Sequence, residues 1–312
     1  MRKTLKILFM GTPEFAVPCL DAIYKSEHKI VGIVTAPDKP GGRGMKQIIS
    51  SPVKKFAEEK ELNLLQPLNL KSSKFLNQIE KLEADVIIVV AFRMLPDIIW
   101  SMPKYGSFNL HASLLPDYRG AAPINRAIMN GDKITGLTTF KLEHKIDTGA
   151  IAFQTEIPID ENDNAGTLHD KMMEEGPKLI MKTIDAIANE TLVLHKQANR
   201  PALEAPKIFF EDCRIDWSQD CYHNYNFIRG LSPYPGAWTK LDNKTLKVID
   251  AEYIIFDHDQ KPGKIYLISK NDILICCGNG LIRLKEIQLE GKSRMIVKNF
   301  LNGYKIMSNN LD

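Results

Sequence analysis

The stretch Asp85-Val86-Ile87-Ile88-Val89-Val90-Ala91 is built almost entirely of β-branched apolar residues. A short unbroken run of this kind predicts a strand that is covered on both faces, as in a parallel sheet. Working outward, similar runs at residues 5–10 and 30–35 precede it, and helical patterns lie at about 11–26, 51–60 and 72–82. This alternation predicts an α/β fold with a Rossmann-like, doubly wound and mostly parallel sheet. Ligands of such sheets bind beyond the carboxyl ends of the strands.

The sequence pattern changes in the second half of the chain. A long helical pattern at residues 165–190 is expected to break near Gly176-Pro177. A polar connector with several prolines follows at residues 199–206, and beyond it short strands alternate with turn residues. We therefore predict two domains, 1–206 and 207–312, the second a smaller β-barrel of OB-like type.

Composition excludes several classes of protein. The 312 residues are 44% hydrophobic and 25% charged with a net charge of +3, ordinary values for a globular chain. Five scattered cysteines follow no disulfide or zinc spacing, which predicts a reducing compartment and no metal site. The apolar start is too short for a signal peptide, and no run approaches the ~18 residues of a membrane span. A cytoplasmic monomer is expected.

A polar cluster is predicted where two neighbouring strands end. Asn109 and His111 are two residues apart, so a strand would direct both side chains to one face. Asp147 follows a second extended stretch and precedes Thr148-Gly149, a turn signal. An amide, a titratable ring and a carboxylate at such an edge suit an active site, although each alone would be an ordinary polar strand end. Dinucleotide and P-loop motifs are absent from the sequence.

The motif Asn109-x-His111-x-Ser113-Leu114-Leu115-Pro116, followed by Asp147-Thr148-Gly149, resembles the folate-dependent formyltransferases. Other matches cover most of the chain and are nearest to the branch of this family that formylates initiator methionyl-tRNA. These further matches are Phe9 to Ala16, Pro37 to Lys46 with Ser51 to Lys54, Arg119 to Ile124, and Arg214 to Trp217.

The resemblance implies transfer of a formyl group from 10-formyltetrahydrofolate to a primary amine, with no metal. Asn109, His111 and Asp147 would be the catalytic residues. Asn109 or a protonated His111 would stabilise the oxyanion, and Asp147 would orient the imidazole or accept a proton. The order of proton transfers stays open.

Folate binding falls, by the same resemblance, to the loop formed by Ser113, Leu114, Leu115 and Pro116. The segment at residues 91–96 would wall the pterin pocket. It departs from the family pattern because it is one residue shorter and carries Arg93 in place of a glycine.

Substrate choice is predicted to lie outside this core. Residues 36–55 carry five basic side chains against one acid in a glycine-rich setting. A solvated surface loop would explain this, but the resemblance makes Arg43 and Lys46 the expected tRNA contacts. Two alternatives stay open: a formyltransferase acting on an amino sugar or other small amine, and a tRNA-binding protein without activity.

Overall fold

A computed structural model describes residues 3–41 and 47–311 of the chain. The strands are β1 Lys6–Gly11, β2 Lys29–Val34, β3 Lys39–Gly41, β4 Gln47–Ile49, β5 Leu64–Leu65, β6 Val86–Val90, β7 Ser107–His111, β8 Arg119–Gly120, β9 Ile134–Lys141, β10 Ile151–Pro158, β11 Glu204–Ala205, β12 Ala237–Leu241, β13 Lys244–Ile255, β14 Ile265–Ile268, β15 Ile273–Cys277, β16 Gly280–Leu289 and β17 Met295–Ile296. The α-helices are α1 Val17–Tyr24, α2 Pro52–Glu59, α3 Ser73–Glu80, α4 Asp97–Trp100, α5 Pro123–Met129, α6 Ala165–Ala188, α7 Cys221–Gly230 and α8 Val297–Gly303.

The described residues group into two compact units that are not continuous in sequence. The first contains the described residues up to Gly120 with Gly136–Ile157 and Asp170–Glu204, and the second contains Ala121–Thr135, Pro158–His169 and the described residues from Ala205 onward. The predicted boundary between residues 206 and 207 stays a prediction. Within the described ranges, no helix combines the length and apolar character that crossing a membrane requires.

A seven-stranded sheet in the order β10-β9-β7-β6-β1-β2-β5 organises the first unit. All five residues of β6 are buried, and β6 pairs in parallel with β1 on one side and β7 on the other. This confirms the mostly parallel, Rossmann-like fold predicted from the run at residues 85–91. The direction reverses at β9, which pairs antiparallel with β7.

The helices α2 and α3 of this unit each begin with a serine cap. The Ser51 side chain accepts a hydrogen bond from the Lys54 amide at 3.0 Å at the start of α2, and Ser72 accepts one from Phe75 at the start of α3. Each satisfies an amide that the first helical turn leaves without a partner.

The sequence predicts a break in α6 near Gly176-Pro177, but the helix does not break there. It runs unbroken from Ala165 to Ala188 with Pro177 inside. A Cβ on Gly176 would lie 3.0 Å from Leu110 of β7 and 3.3 Å from Cys19 of α1. The glycine therefore allows close packing of α6 in the first unit, and this burial offsets the hydrogen bond that proline removes.

The second unit contains an antiparallel sheet in the order β12-β13-β16-β15-β14, with β17 beside β16. Its buried core includes Trp217, Leu246, Ile275, Ile282 and Phe300. These contacts confirm the predicted C-terminal antiparallel β domain. Closure into an OB-like barrel stays a prediction.

Candidate active site

The strand β7 directs Asn109 and His111 to the same face, as the sequence predicts. Asn109 pairs with Val89 of β6 and Phe140 of β9, while His111 lies opposite Thr138 of β9. Strands on both sides therefore fix the backbone from which these side chains project.

The two nitrogens of the His111 ring face different groups. Its Nε2 lies 2.8 Å from the carbonyl oxygen of Tyr118, so Nε2–H donates to that carbonyl. Its Nδ1 faces the Asp147 carboxylate, with 3.8 Å to Oδ2. The two side chains are only 8% and 12% exposed. Because Tyr118 occupies Nε2–H, Nδ1 is the ring atom at which a proton can be gained or lost.

Asp147 occupies a left-handed backbone conformation with φ of 53°. Three contacts hold it there. The Gly120 amide donates to Oδ2 at 2.9 Å, and the Asp147 carbonyl accepts from Arg119 Nε at 3.1 Å and from Gln197 Nε2 at 2.8 Å. Such a conformation is unfavourable for a residue other than glycine and persists where the surroundings over-determine it.

The residue at position 149, just after Asp147 and Thr148, must be a glycine. A Cβ at this position would lie 1.7 Å from the carbonyl oxygen of Lys141 in β9. The same segment is tied down because Lys141 donates its amide to the Ala150 carbonyl at 2.9 Å. The close approach keeps Asp147 beside the end of β7.

The Asn109 side chain has an oxygen, Oδ1, without a partner in the described part of the chain. Its Oδ1 is buried, and no hydrogen bond joins it to any residue that the structure describes. A buried polar atom without a partner costs about 1–3 kcal/mol, and such atoms call for a functional explanation. A ligand N–H or O–H group at this position would complete the hydrogen bonding of Asn109 Oδ1.

The Ser113–Pro116 loop is a rigid element. The Ser113 hydroxyl donates to the Asp117 carbonyl at 2.6 Å, and Thr138 Oγ1 both donates to the Ser113 carbonyl at 2.6 Å and accepts the Leu115 amide at 3.1 Å. Ser113, Leu115 and Pro116 are buried, and only Leu114 is half-exposed. If this loop binds folate, it does so through Leu114 and backbone groups.

Arg93 bonds to a neighbouring loop. Its guanidinium donates to the carbonyl oxygens of Pro67 and Leu68, the latter at 3.1 Å. The preceding Ala91 adopts a left-handed conformation with φ of 47°, so the chain turns sharply after β6. The residue that departs from the family pattern thus ties the segment at 91–96 to the loop after β5.

The predicted tRNA contacts Arg43 and Lys46 lie outside the described residues. Nearby, Lys54 Nζ forms an ion pair with Asp38 Oδ2 at 2.5 Å. This hydrogen bond raises the pKa of Lys54 and lowers the pKa of Asp38. The charge of Lys54 is thereby balanced by Asp38. The other basic residues of the segment 36–55 that the structure describes are Lys39 and Lys55.

Several residues that support the site escape prediction from sequence. Tyr118 acts through its carbonyl, and Gly120 through its amide, so neither side chain reveals the role. Arg119-Gly120 carries a detectable signal because it belongs to a matching motif. Gln197 lies 50 residues after Asp147, in a connector with no recognisable pattern.

Comparison with known proteins gives matches over both units. The family described as Formyl transferase matches residues 5–184, and the family described as Formyl transferase, C-terminal domain, matches residues 207–305.

Single proteins match over nearly the whole chain. A methionyl-tRNA formyltransferase from Bacteroides thetaiotaomicron is 45% identical over 314 residues, covering 98% of this chain and 97% of that protein. A solved structure of methionyl-tRNA formyltransferase from Clostridium thermocellum has a TM-score of 0.59 at 16% identity, and the match covers 92% of this chain and 99% of that chain. HypX from Aquifex aeolicus, solved with tetrahydrofolic acid, has a TM-score of 0.65 at 16% identity; the match covers 96% of this chain but 47% of HypX.

Proposed function

This chain belongs to the formyl transferase family, among the methionyl-tRNA formyltransferases, and from that premise we propose that Asn109, His111 and Asp147 carry its reaction. The enzyme formylates the amine of methionyl-tRNA and so supplies formylmethionyl-tRNA for translation initiation. The proposed donor is 10-formyltetrahydrofolate, which supplies the formyl group when it is bound.

One observation carries the assignment of the catalytic residues. The His111 ring is fixed by Tyr118 at Nε2 and faces Asp147 at Nδ1, and Asn109 projects from the same face of β7 with its buried amide oxygen unpaired. A fixed imidazole and carboxylate, with an amide side chain that can donate from the same strand face, suit acyl transfer to an amine.

The roles follow from these contacts. The Asn109 Nδ2–H group donates to the formyl oxygen and stabilises the negative charge that develops there. The His111–Asp147 pair exchanges a proton at Nδ1. It takes one proton from the attacking amine and returns one to the nitrogen that leaves, so the proton count balances.

The half-exposed Leu114 and the backbone of the Ser113–Pro116 loop are proposed to contact the folate. The buried Asn109 Oδ1, which has no partner among the described residues, can accept a hydrogen bond from an N–H group of the folate, and this supports the fit. HypX, whose described structure contains tetrahydrofolic acid, has the same fold. No metal ion is proposed to take part.

The tRNA is proposed to bind through Arg43, Lys46 and the C-terminal domain at residues 207–312, and the substrate is the initiator species. Arg43→Ala should raise the KM for methionyl-tRNA and leave the KM for 10-formyltetrahydrofolate unchanged, because a phosphate contact is lost. The salt dependence of tRNA binding should also weaken. Equal effects on both substrates would contradict this role, and Lys71→Ala, on an exposed lysine outside the segment, is the control.

A competition between amines tests the function itself. The protein is supplied with 10-formyltetrahydrofolate together with methionyl-tRNA and an amino-sugar nucleotide, and the formylated product is identified. Formylmethionyl-tRNA alone is expected. A formylated sugar as the main product would replace the assignment with the small-amine alternative, and no product would favour a binding protein. The enzyme is proposed to act as a monomer in the cytoplasm.

A further inference from the structure

Two consecutive phenylalanines are exposed at the start of the C-terminal segment. Phe209 is 57% exposed and Phe210 is 51% exposed. Phe210 lies flat on Trp238 of β12, with ring centroids 4.9 Å apart and an interplanar angle of 6°. Trp238 is 9% exposed, so one face of Phe210 covers it and the remainder of Phe210 faces solvent.

This aromatic pair is held rigidly. Trp238 Nε1 donates to the Phe210 carbonyl at 2.8 Å, and the Ile215 amide donates to the Trp238 carbonyl at 2.8 Å. The segment at residues 210–215 is therefore tied to β12 on both sides of the stack. A ring held in this way loses little conformational freedom when a ligand binds.

Cations surround the aromatic rings. Lys207 Nζ lies 5.1 Å from the Phe209 ring centre, and Arg214 and Lys240 lie 5.8 and 5.9 Å from that of Trp238. Among the described residues, neither Lys207 nor Arg214 pairs with a carboxylate. The Asp212 carboxylate accepts the Phe209 amide at 2.8 Å and keeps its negative charge. Glu211 and Asp212 are exposed acids that oppose these cations.

We propose that Phe210, backed by Trp238 and flanked by Lys207 and Arg214, is a platform on which an unpaired nucleobase of the tRNA stacks. Aromatic faces combined with cations are surfaces on which single-stranded nucleic acid binds, since every nucleotide offers the π-face of its base and a phosphate. The unpaired nucleotides nearest to the reacting amine are those of the 3′ end. This inference rests on the proposed function and assigns a base-stacking contact to it.

The test compares Phe210→Leu with Phe210→Tyr in the full-length protein. Leucine keeps an apolar cover over Trp238 but removes the π-face, whereas tyrosine keeps both. We expect Phe210→Leu to raise the KM for methionyl-tRNA about ten-fold, the range of a lost base stack, and Phe210→Tyr to restore it. The KM for 10-formyltetrahydrofolate and the Tm should not change. Glu211→Gln should lower the KM for methionyl-tRNA, an effect of the opposite sign.

A second measurement identifies the nucleotide that stacks. Uncharged tRNA with and without its unpaired 3′ nucleotides is measured as a competitor of methionyl-tRNA. The intact tRNA should inhibit the wild type more strongly than the truncated one, and Phe210→Leu should abolish this difference. Equal weakening of both competitors would overturn the assignment to the 3′ end.

The matched control is Phe256→Leu, on another exposed aromatic of the same unit. An unchanged KM for methionyl-tRNA in Phe210→Leu would overturn the platform, provided that the wild type formylates methionyl-tRNA. A wild type that does not formylate methionyl-tRNA would instead contradict the proposed function.

Discussion

Asp147 combines a strained backbone with a carboxylate in contact range of His111, and the two features can be separated. Asparagine tolerates the left-handed conformation and keeps an oxygen for the Gly120 amide. Asp147→Asn should therefore fold with an unchanged Tm and yet lose about 10²- to 10⁴-fold in kcat, the range for a lost acid–base group. Steady-state kinetics and thermal unfolding measure both quantities.

The control for this change is Asp242→Asn. Asp242 is also left-handed, with φ of 49°, and its carboxylate accepts the Ser308 amide at 2.7 Å. It shares the conformation of Asp147 but has no proposed role in the reaction. A wild-type kcat in Asp147→Asn would refute the catalytic assignment.

Gln197 is inferred to position Asp147 rather than to touch the substrate. Its side chain donates to the carbonyls of Asp147 and Gly149 at 2.8 and 2.9 Å and accepts from Arg119. Gln197→Met keeps the length of the side chain but removes these bonds. We expect kcat to fall by about ten-fold or more with little change in either KM, because small displacements of a reacting group are costly.

A double variant distinguishes positioning from general destabilisation. If Gln197 acts by positioning the Asp147 carboxylate, adding Gln197→Met to Asp147→Asn should lower kcat little further. The effects of substitutions at contacting residues are not additive. Independent, multiplying losses would contradict the positioning role. Lys196→Met, at the exposed neighbouring residue, is the matched control.

The sequence predicted the proposed site residues whose side chains would carry the chemistry, and it could not predict what the backbone contributes. The two-residue spacing of Asn109 and His111 follows directly from strand geometry. Tyr118 contributes its backbone carbonyl, which every residue has, and Gly120 contributes its backbone amide, which every residue except proline has. No residue type could indicate them.

Elements whose sequence and packing agree were predicted to within a few residues. The strand β6 is an example, because a wholly apolar β-branched run has few alternatives to a buried strand. The helix α6 is the counterexample. The local cost of Pro177 predicts a break, but packing against Leu110 and Cys19, which are distant in sequence, outweighs it.

The turn between β9 and β10 provides a test at the scale of elements. Gly149→Ala would place a methyl group 1.7 Å from the Lys141 carbonyl oxygen, so the turn or β9 must move. We expect a loss of about 3 kcal/mol in the free energy of unfolding together with reduced kcat. Chemical denaturation and steady-state rates measure the two effects.

Gly303→Ala is the matched control for this turn. Gly303 ends α8, and a Cβ there would meet nothing within 4 Å. The change should be neutral or should stabilise the protein by about 0.4–1 kcal/mol, because alanine restricts the unfolded chain. A loss in Gly303→Ala equal to that in Gly149→Ala would show that steric contact does not set the cost.

At the scale of the whole molecule, the composition predicted free cysteines in a reducing compartment, and the structure places all five as buried free thiols. Burial raises the pKa of Cys19 and Cys277 to about 12, because a thiolate is poorly solvated inside the protein. The pKa of Cys213, Cys221 and Cys276 is also raised, chiefly by burial. Burial thus protects the thiols of both units from chemical modification.

This distribution predicts how the native protein reacts with alkylating reagents. The reactive species is the thiolate, and a raised pKa leaves little of it at neutral pH. Iodoacetamide should therefore label none of the five thiols rapidly in the folded protein and all five after denaturation, as counted by intact mass. Lys292→Cys, at an exposed turn, should add one rapidly labelled thiol and confirms that the reagent is active. Fast labelling of a native thiol would mean that one of the two cores opens readily, and peptide mapping would show which unit it is.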